Sequence, residues 1–174
     1  MSVVHGTRPT APGGDVRTLA EAVMPPGTVP PPLPGFVVSS FSPLAAAAAE
    51  RCLATRHGNP PALTRTAIVL VSGSGDAGMA EHVAHLVDGG LRLGPLLFFQ
   101  AVPNSVAGHV AARWGLRGPV VCLCPTGDPK ADGLAQARLL VDDGDADEVL
   151  VVLVEQTGAG DSAHALLVTK GDSP

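Results

Sequence analysis

The residues best suited to chemistry lie in a few short stretches, and each carries a competing structural explanation. Gly73-Ser74-Gly75-Asp76-Ala77-Gly78 is a formal G-x-G-x-x-G between an apolar run and a helical pattern. In that context glycines turn tightly and bring backbone amides up to a pyrophosphate. A dinucleotide site also needs an acid about 20 residues on, at the end of a second strand, to hold the ribose. Leu91 to Phe99 supplies none, so a tight turn with glycine-permitted packing is expected. His82 and His85 stand one helical turn apart, but zinc asks for a third ligand and an acid in a set place, as in H-E-x-x-H. A solvated helix flank is expected there. Asp161, Ser162 and His164 are the residue types of a hydrolase triad, yet they crowd one loop without the strand-turn-helix elbow that exposes a nucleophile. The acids Asp142, Asp143, Asp145, Asp147 and Glu148 lack the fixed alternation and distal Glu of an EF-hand, which leaves a solvated loop. Cys52, Cys122 and Cys124 form no C-x-x-C pair, and Cys122 and Cys124 are expected on opposite faces of one strand. That usage points to a reducing compartment. No metal site and no cofactor is expected.

Composition narrows the partners. A chain of 174 residues with 45% hydrophobic side chains has the length of one ordinary domain, able to bury about 70% of its unfolded surface. Aliphatic residues carry that hydrophobicity, because there are four Phe, one Trp and no Tyr. Base-stacking platforms need aromatics and phosphate tracks need clustered Lys and Arg, whereas this chain is net −5 with its basic residues scattered. Nucleic acid is not an expected partner. The start of the chain lacks a basic region followed by a long apolar core, and no apolar run approaches the about 18 residues of a membrane span. No membrane is expected, and the cytoplasm is the expected location.

The elements that position these residues can be read in order. Val3-Val4 offers a very short strand, and a helix is expected from Asp15, as N-cap, to Val23. Residues 24 to 34 read MPPGTVPPPLP, an extended connector, because proline lacks the donor and restricts the residue before it. Ser42-Pro43 is expected to open a helix running through Arg56, with Gly58 ending it. Thr66 to Val71 is a continuous apolar run, the pattern of a strand covered on both faces. A helix from Ala77 to Val87 places Met79, Val83, Leu86 and Val87 on one side. After a loop through Gly94-Pro95, a helix from Pro103-Asn104 carries Val106, Val110 and Trp114 on one face. Val120 to Cys124 is the next strand, about Lys130 to Asp142 a helix, Val149 to Val154 a buried strand and Ala165 to Thr169 the last. The alternation argues an α/β layered domain.

From Gly115 to Val154 this order resembles the amino-terminal half of β-ketoacyl synthases, the condensing enzymes of fatty-acid and polyketide synthesis. The residues that carry the resemblance are Pro103-Asn104, Gly115-Leu116-Arg117-Gly118-Pro119, the strand to Cys124, the helix Leu134 to Val141, the acidic turn Asp142 to Asp147 and the strand Val149 to Glu155. It extends back through Thr66 to Gly78 and to Val3-Val4 as the family's first strand. The resemblance implies an α/β, thiolase-like half-domain: a mixed sheet of about five strands with helices on both faces, in one truncated ketosynthase-like domain over residues 1 to 174. Counted from Gly118-Pro119 without gaps, the family's nucleophilic Cys falls on Gly127, and Cys124 lies three residues early, where it reads as a small buried apolar side chain. The family's two catalytic histidines belong to the half not represented here. General acid-base groups contribute about 10²- to 10⁴-fold and a covalent nucleophile splits one hard step into two, so no catalytic residue is expected. The resemblance implies instead an inactive, chain-length-factor-like subunit of a type II polyketide or aryl-polyene pathway. Such a subunit pairs as a heterodimer with a catalytic β-ketoacyl synthase and meets the acyl carrier protein indirectly. Phe98, Phe99, Asn104, His109 and the strand Pro119, Val120, Val121, Cys122, Leu123 and Cys124 would be interface or tunnel wall. A homodimeric binding or structural protein, and a thiol enzyme using Cys124, are the alternatives.

Overall fold

The computed structural model describes residues 15–157 and 159–171. The expected Val3-Val4 strand lies outside them. Ten elements follow in order: β1 (Val16–Met24), α1 (Phe41–His57), β2 (Thr66–Val71), α2 (Ala77–Asp88), α3 (Pro95–Gln100), α4 (Asn104–Trp114), β3 (Val120–Leu123), α5 (Pro129–Asp142), β4 (Glu148–Glu155) and β5 (Ser162–Lys170). The strands form one mixed sheet in the order β1-β5-β4-β2-β3. β2 runs parallel to β3 and β4, and β5 runs antiparallel to β4 and β1.

Alternation along the inner strands sorts their side chains between two helical layers. Ile68, Leu70, Leu150, Val152, Ala165 and Leu167 face α1 and α4, while Ala67, Val69, Val71, Val149, Val151, Leu166 and Val168 face α5. Every residue of β2 is buried, as its unbroken TAIVLV predicts for a strand covered on both sides. The expected mixed sheet of about five strands with helices on both faces is therefore present.

α1 crosses the middle of its layer, and Ala45 to Ala49 are all buried. Side chains this small let the helix axis sit close to the sheet. It begins two residues before the expected cap: Ser40 is the N-cap, and its carbonyl accepts the Leu44 N–H at 2.9 Å. Ser42 and Pro43 lie inside the first turn, where the missing proline donor costs nothing because those amides have no intrahelical partner.

The sequence reading misplaces one element. Asp15 to Val23 is not a helix but most of β1, which pairs with β5 along its length across a bulge between Thr18 and Ala20. Leu19, Ala20 and Val23 fit a helical spacing, yet Ala20 and Met24 are buried as the inner residues of a strand. The available β5 edge decides between the two patterns. Asp15 caps nothing, and its carbonyl instead accepts the Gly171 N–H at 2.8 Å. Met24, expected to open the proline connector, closes β1 in full burial.

α2 forms as expected, but of its apolar side only Met79 is buried, and Val87 is 57% exposed. α3 is an element the sequence reading passes over as loop. Gly94 and Pro95 are its N-cap and first residue, and buried Gln100 ties it to the connector by accepting the Val37 N–H at 3.1 Å. It leaves Leu96 and Phe98 56% and 79% exposed.

The Gly115-to-Pro119 signature has a physical meaning here. Gly115 ends α4 in the left-handed region at φ 66°, a conformation that costs glycine no Cβ clash. Leu116 then turns into the core. Gly118 runs against β2 so closely that a Cβ would stand 2.5 Å from the Ala67 nitrogen. The Pro119 carbonyl accepts the Ile68 N–H at 2.9 Å, starting the β2–β3 pairing. Among the described residues no helix is long and apolar enough to cross a membrane.

Candidate functional site

β2 is the point where the chain reverses its order across the sheet. From β2 it passes through α2, α3 and α4 to β3 on one side, and from β3 through α5 to β4 on the other. Loops leaving parallel strands in opposite directions open a crevice at their carboxyl ends. A cavity of about 360 Å³ opens there, lined by Phe41 at the start of α1, Leu70, the Ser72-to-Gly75 loop, Pro103 before α4, and Cys122, Leu123 and Cys124 of the β3 end.

The glycine-rich loop on one wall is already satisfied by protein groups. The Ser72 N–H donates to the Leu123 carbonyl at 3.2 Å, the Gly73 N–H to Glu155 Oε1 at 3.0 Å, and the Gly75 N–H to Ser72 Oγ at 3.0 Å. Asp76 caps α2 through Oδ1, 2.9 Å from the Met79 nitrogen. The amides of Ser72, Gly73 and Gly75 are thus engaged by the chain itself, as in a tight turn.

On the other wall, β3 turns through Cys124, Pro125, Thr126 and Gly127 into α5. Gly127 stands at the tip, exposed, and a Cβ built on it meets nothing within 4 Å. Packing therefore does not forbid a side chain at the position where the count along the sequence expects the family's nucleophile. The amides around it are committed, however. Asp132 Oδ2 accepts the Thr126 N–H at 2.6 Å, the Thr126 hydroxyl at 3.3 Å and the Gly127 N–H at 3.2 Å. Those two amides hold the Asp132 carboxyl below the usual carboxylate range, Thr126 contributing most. Asp128 caps α5 by accepting the Ala131 N–H at 2.7 Å, and Pro129 is its first residue. An oxyanion hole needs amides aimed at the reacting oxygen; here both face a carboxylate. Sequence reasoning missed Asp132, although an acid in the first helical turn after an Asp-Pro start is a legible sign.

The cysteines require a correction. Residues two apart on a strand share a face, so Cys122 and Cys124 both line the crevice instead of opposing one another. Cys124 is not a buried apolar filler: it is exposed, as is Cys122. The buried cysteine is Cys52 in α1, whose thiol burial pushes up to about 11. Among the described residues the hydrogen-bond acceptors of Cys124 Sγ are the Gly73 and Pro125 carbonyls, at 3.7 and 3.9 Å, which cannot take its proton.

The remaining sequence candidates separate. β3 is an edge strand, with Val120 42% exposed and Val121 and Leu123 packed toward α5. Asn104 is exposed at the start of α4. Phe98 and Phe99 lie on α3, 79% and 47% exposed, and the Phe99 ring centroid is 5.4 Å from that of Phe36. His109 lies away from the crevice, edge-on to Phe36 at 6.2 Å, in a groove beside the proline connector. The hydrolase-type trio is not assembled: Asp161 accepts from Ser40 and from Gln156, while His164 pairs with Glu21. In the acidic cluster, Asp142 meets Lys170 at 3.2 Å and Arg138 at 3.4 Å, and Lys170 first, then Arg138, holds its carboxyl below the usual range. Among the described residues no three His, Cys, Asp or Glu side chains gather as a metal site.

No protein-family model matches the chain. Solved structures do. A ketosynthase in complex with its chain length factor from Xenorhabdus doucetiae matches at 20% identity and TM-score 0.70, over 91% of this chain and 80% of that one. The ishigamide ketosynthase/chain length factor matches at 20% identity and TM-score 0.66, over 82% of this chain and 47% of that one. A type II polyketide synthase acyl-carrier protein in complex with its ketosynthase, bound to the hexaketide, matches at 13% identity and TM-score 0.67, over 90% of this chain and 62% of that one. The sheet and its helical layers thus have the thiolase-like fold of ketosynthases, and the chain spans about half to four fifths of the length of these structures.

Proposed function

We propose that this chain is a non-catalytic, chain-length-factor-like subunit that pairs with a catalytic β-ketoacyl synthase in a type II polyketide or aryl-polyene system. The observation that carries the reading is the state of β3 and its turn. The strand is an open, half-apolar sheet edge, and the turn it leads to presents Gly127 with its amides held by Asp132. An unpaired apolar edge invites another strand. Its counterpart in this proposal is the matching strand of the synthase, which continues the sheet across the interface. In this proposal the exposed Phe98 and Phe99 of α3 also meet the partner and line the acyl tunnel, with Asn104 at its rim. The acyl carrier protein meets the assembly through the catalytic subunit, and the pair works in the cytoplasm without metal or cofactor on this chain. The fold likeness to ketosynthase and chain-length-factor structures supports the partner class.

Co-expression with candidate β-ketoacyl synthases, followed by size-exclusion chromatography, tests the proposal. A stoichiometric complex with one of them is the expected result. A chain that stays soluble and unbound beside every candidate overturns it.

The exposure of Cys124 favours a second reading, a thiol enzyme. Thiol catalysis is helped by a neighbouring base, and the carbonyls that Cys124 touches are not bases. Activity of the isolated chain toward thioesters, lost on Cys124→Ser, would establish that reading over the first.

A further inference from the structure

Away from the crevice, a groove of about 430 Å³ lies between α1, α4 and the proline connector. Its floor is Ala46 and Ala47, side chains small enough to leave the space open. One wall is the proline run from Pro31 to Pro34, whose rings present no N–H donor. The opposite wall is polar and mostly cationic. Arg113 is bound through Nε to Glu50 Oε1 at 2.7 Å, which leaves its two terminal amino groups free to donate. Arg51, the next residue on α1, is exposed, and its guanidinium has no ionic partner among the described residues. His109 closes the end of the groove. Two guanidinium groups against one carboxylate give a local positive excess, on a chain whose net charge is −5.

We infer that this groove binds a small organic oxyanion with an apolar body, a carboxylate or a phosphate monoester. The guanidinium fork of Arg51 takes the anionic head, as its planar, weakly hydrated donors favour. Arg113 adds a second donor from α4. The prolines and alanines take the apolar body, replacing water on surfaces that offer it little hydrogen bonding. A mostly apolar recess of this size with a few convergent polar groups is the usual form of a small-ligand site. The inference stands apart from the heterodimer, because none of the groove residues belongs to the interface proposed above.

The test is calorimetric titration of the full chain with octanoate, octyl phosphate and octan-1-ol. At least one oxyanion is expected to saturate the chain, and the tighter of the two names the head group. Octan-1-ol is expected to bind at least tenfold more weakly. Arg51→Met is expected to weaken the oxyanion about tenfold, the loss of one charge-assisted pair. Glu50→Gln is expected to tighten it severalfold by releasing Arg113, a gain that misfolding cannot imitate. Failure of both oxyanions to bind overturns the inference. So does octan-1-ol binding as well as they do, or binding indifferent to both substitutions.

Discussion

Asp132 decides what the turn after β3 presents. One carboxylate oxygen gathers the Thr126 and Gly127 amides, so the turn closes on its own side chain instead of facing the crevice. Asp132→Asn keeps an acceptor but removes the charge that makes those bonds short. Faster hydrogen exchange at Thr126 and Gly127, with the fold unchanged, is the expected outcome, checked by NMR. The pH dependence has a fixed sign. The carboxyl is lowered in the fold, so its contribution is present above its ordinary value of 3.8 and is lost as pH falls through the lowered one. Protection at the two amides should hold through mild acid and fall only below the usual carboxylate range. Gly127→Cys probes the neighbouring question. Space at the position is open, so the variant should fold and its new thiol should alkylate, while condensation of acyl thioesters should stay at background because the carboxylate beside it, Asp132, is already engaged by the Thr126 and Gly127 amides. Counting from Gly118-Pro119 made Gly127 legible as a position of interest, though not the part played by Asp132. The fate of Cys124 was not legible either, because an apolar run such as VVCLC does not say whether its strand lies inside a sheet or at its edge. Exposure and burial now order the thiols: Cys124 should react with iodoacetamide in the native chain, Cys122 more slowly because partial burial pushes its thiol up, and Cys52 only after unfolding, as mass spectrometry of alkylated peptides would show.

At the scale of elements, pattern reading succeeded where a residue's environment is nearly symmetric and failed where a distant strand decides. β2 and β4 are apolar on both faces, and α4 and α5 carry their buried residues at helical spacing, so local sequence was enough. β1 needed its pairing with β5, made 143 residues away where Glu21 meets His164, a contact no local period contains. The apolar side of α2 was read correctly as a stripe, yet the core it should cover is reached only by Met79. The signature before β3 was legible as a motif, and its reason is the approach of Gly118 to β2. Gly118→Ala would put a methyl group 2.5 Å from the Ala67 nitrogen, against backbone that cannot rotate away. Overpacking of this kind costs about 3 kcal/mol, and the β2–β3 pairing should loosen with it. Urea denaturation of this variant beside Arg117→Ala, an exposed neighbour, measures the difference; near-equal midpoints would show that the strands give way easily.

For the molecule as a whole, the sheet of the described residues ends in two edge strands, β1 and β3. β1 ends the sheet at one edge, where it pairs with β5, and β3 ends it at the other, four residues long and bonded only to β2. α3 leaves further apolar side chains exposed, among them Leu96, Phe98 and Phe99. Natural sheets protect such edges with charge, and lysine is the usual device. Val120→Lys applies that device at a position already 42% exposed, so the stability of the isolated chain should change by no more than about 0.5 kcal/mol. Main-chain pairing with a synthase strand would have to bury or displace that ammonium group, at a penalty well beyond the gain from four residues of edge hydrogen bonding. Co-purification of the synthase should therefore fall at least tenfold, while Leu139→Lys, on the exposed side of α5, should leave it intact. Equal loss from both substitutions would point to charge alone, and no loss from Val120→Lys would move the interface away from this edge.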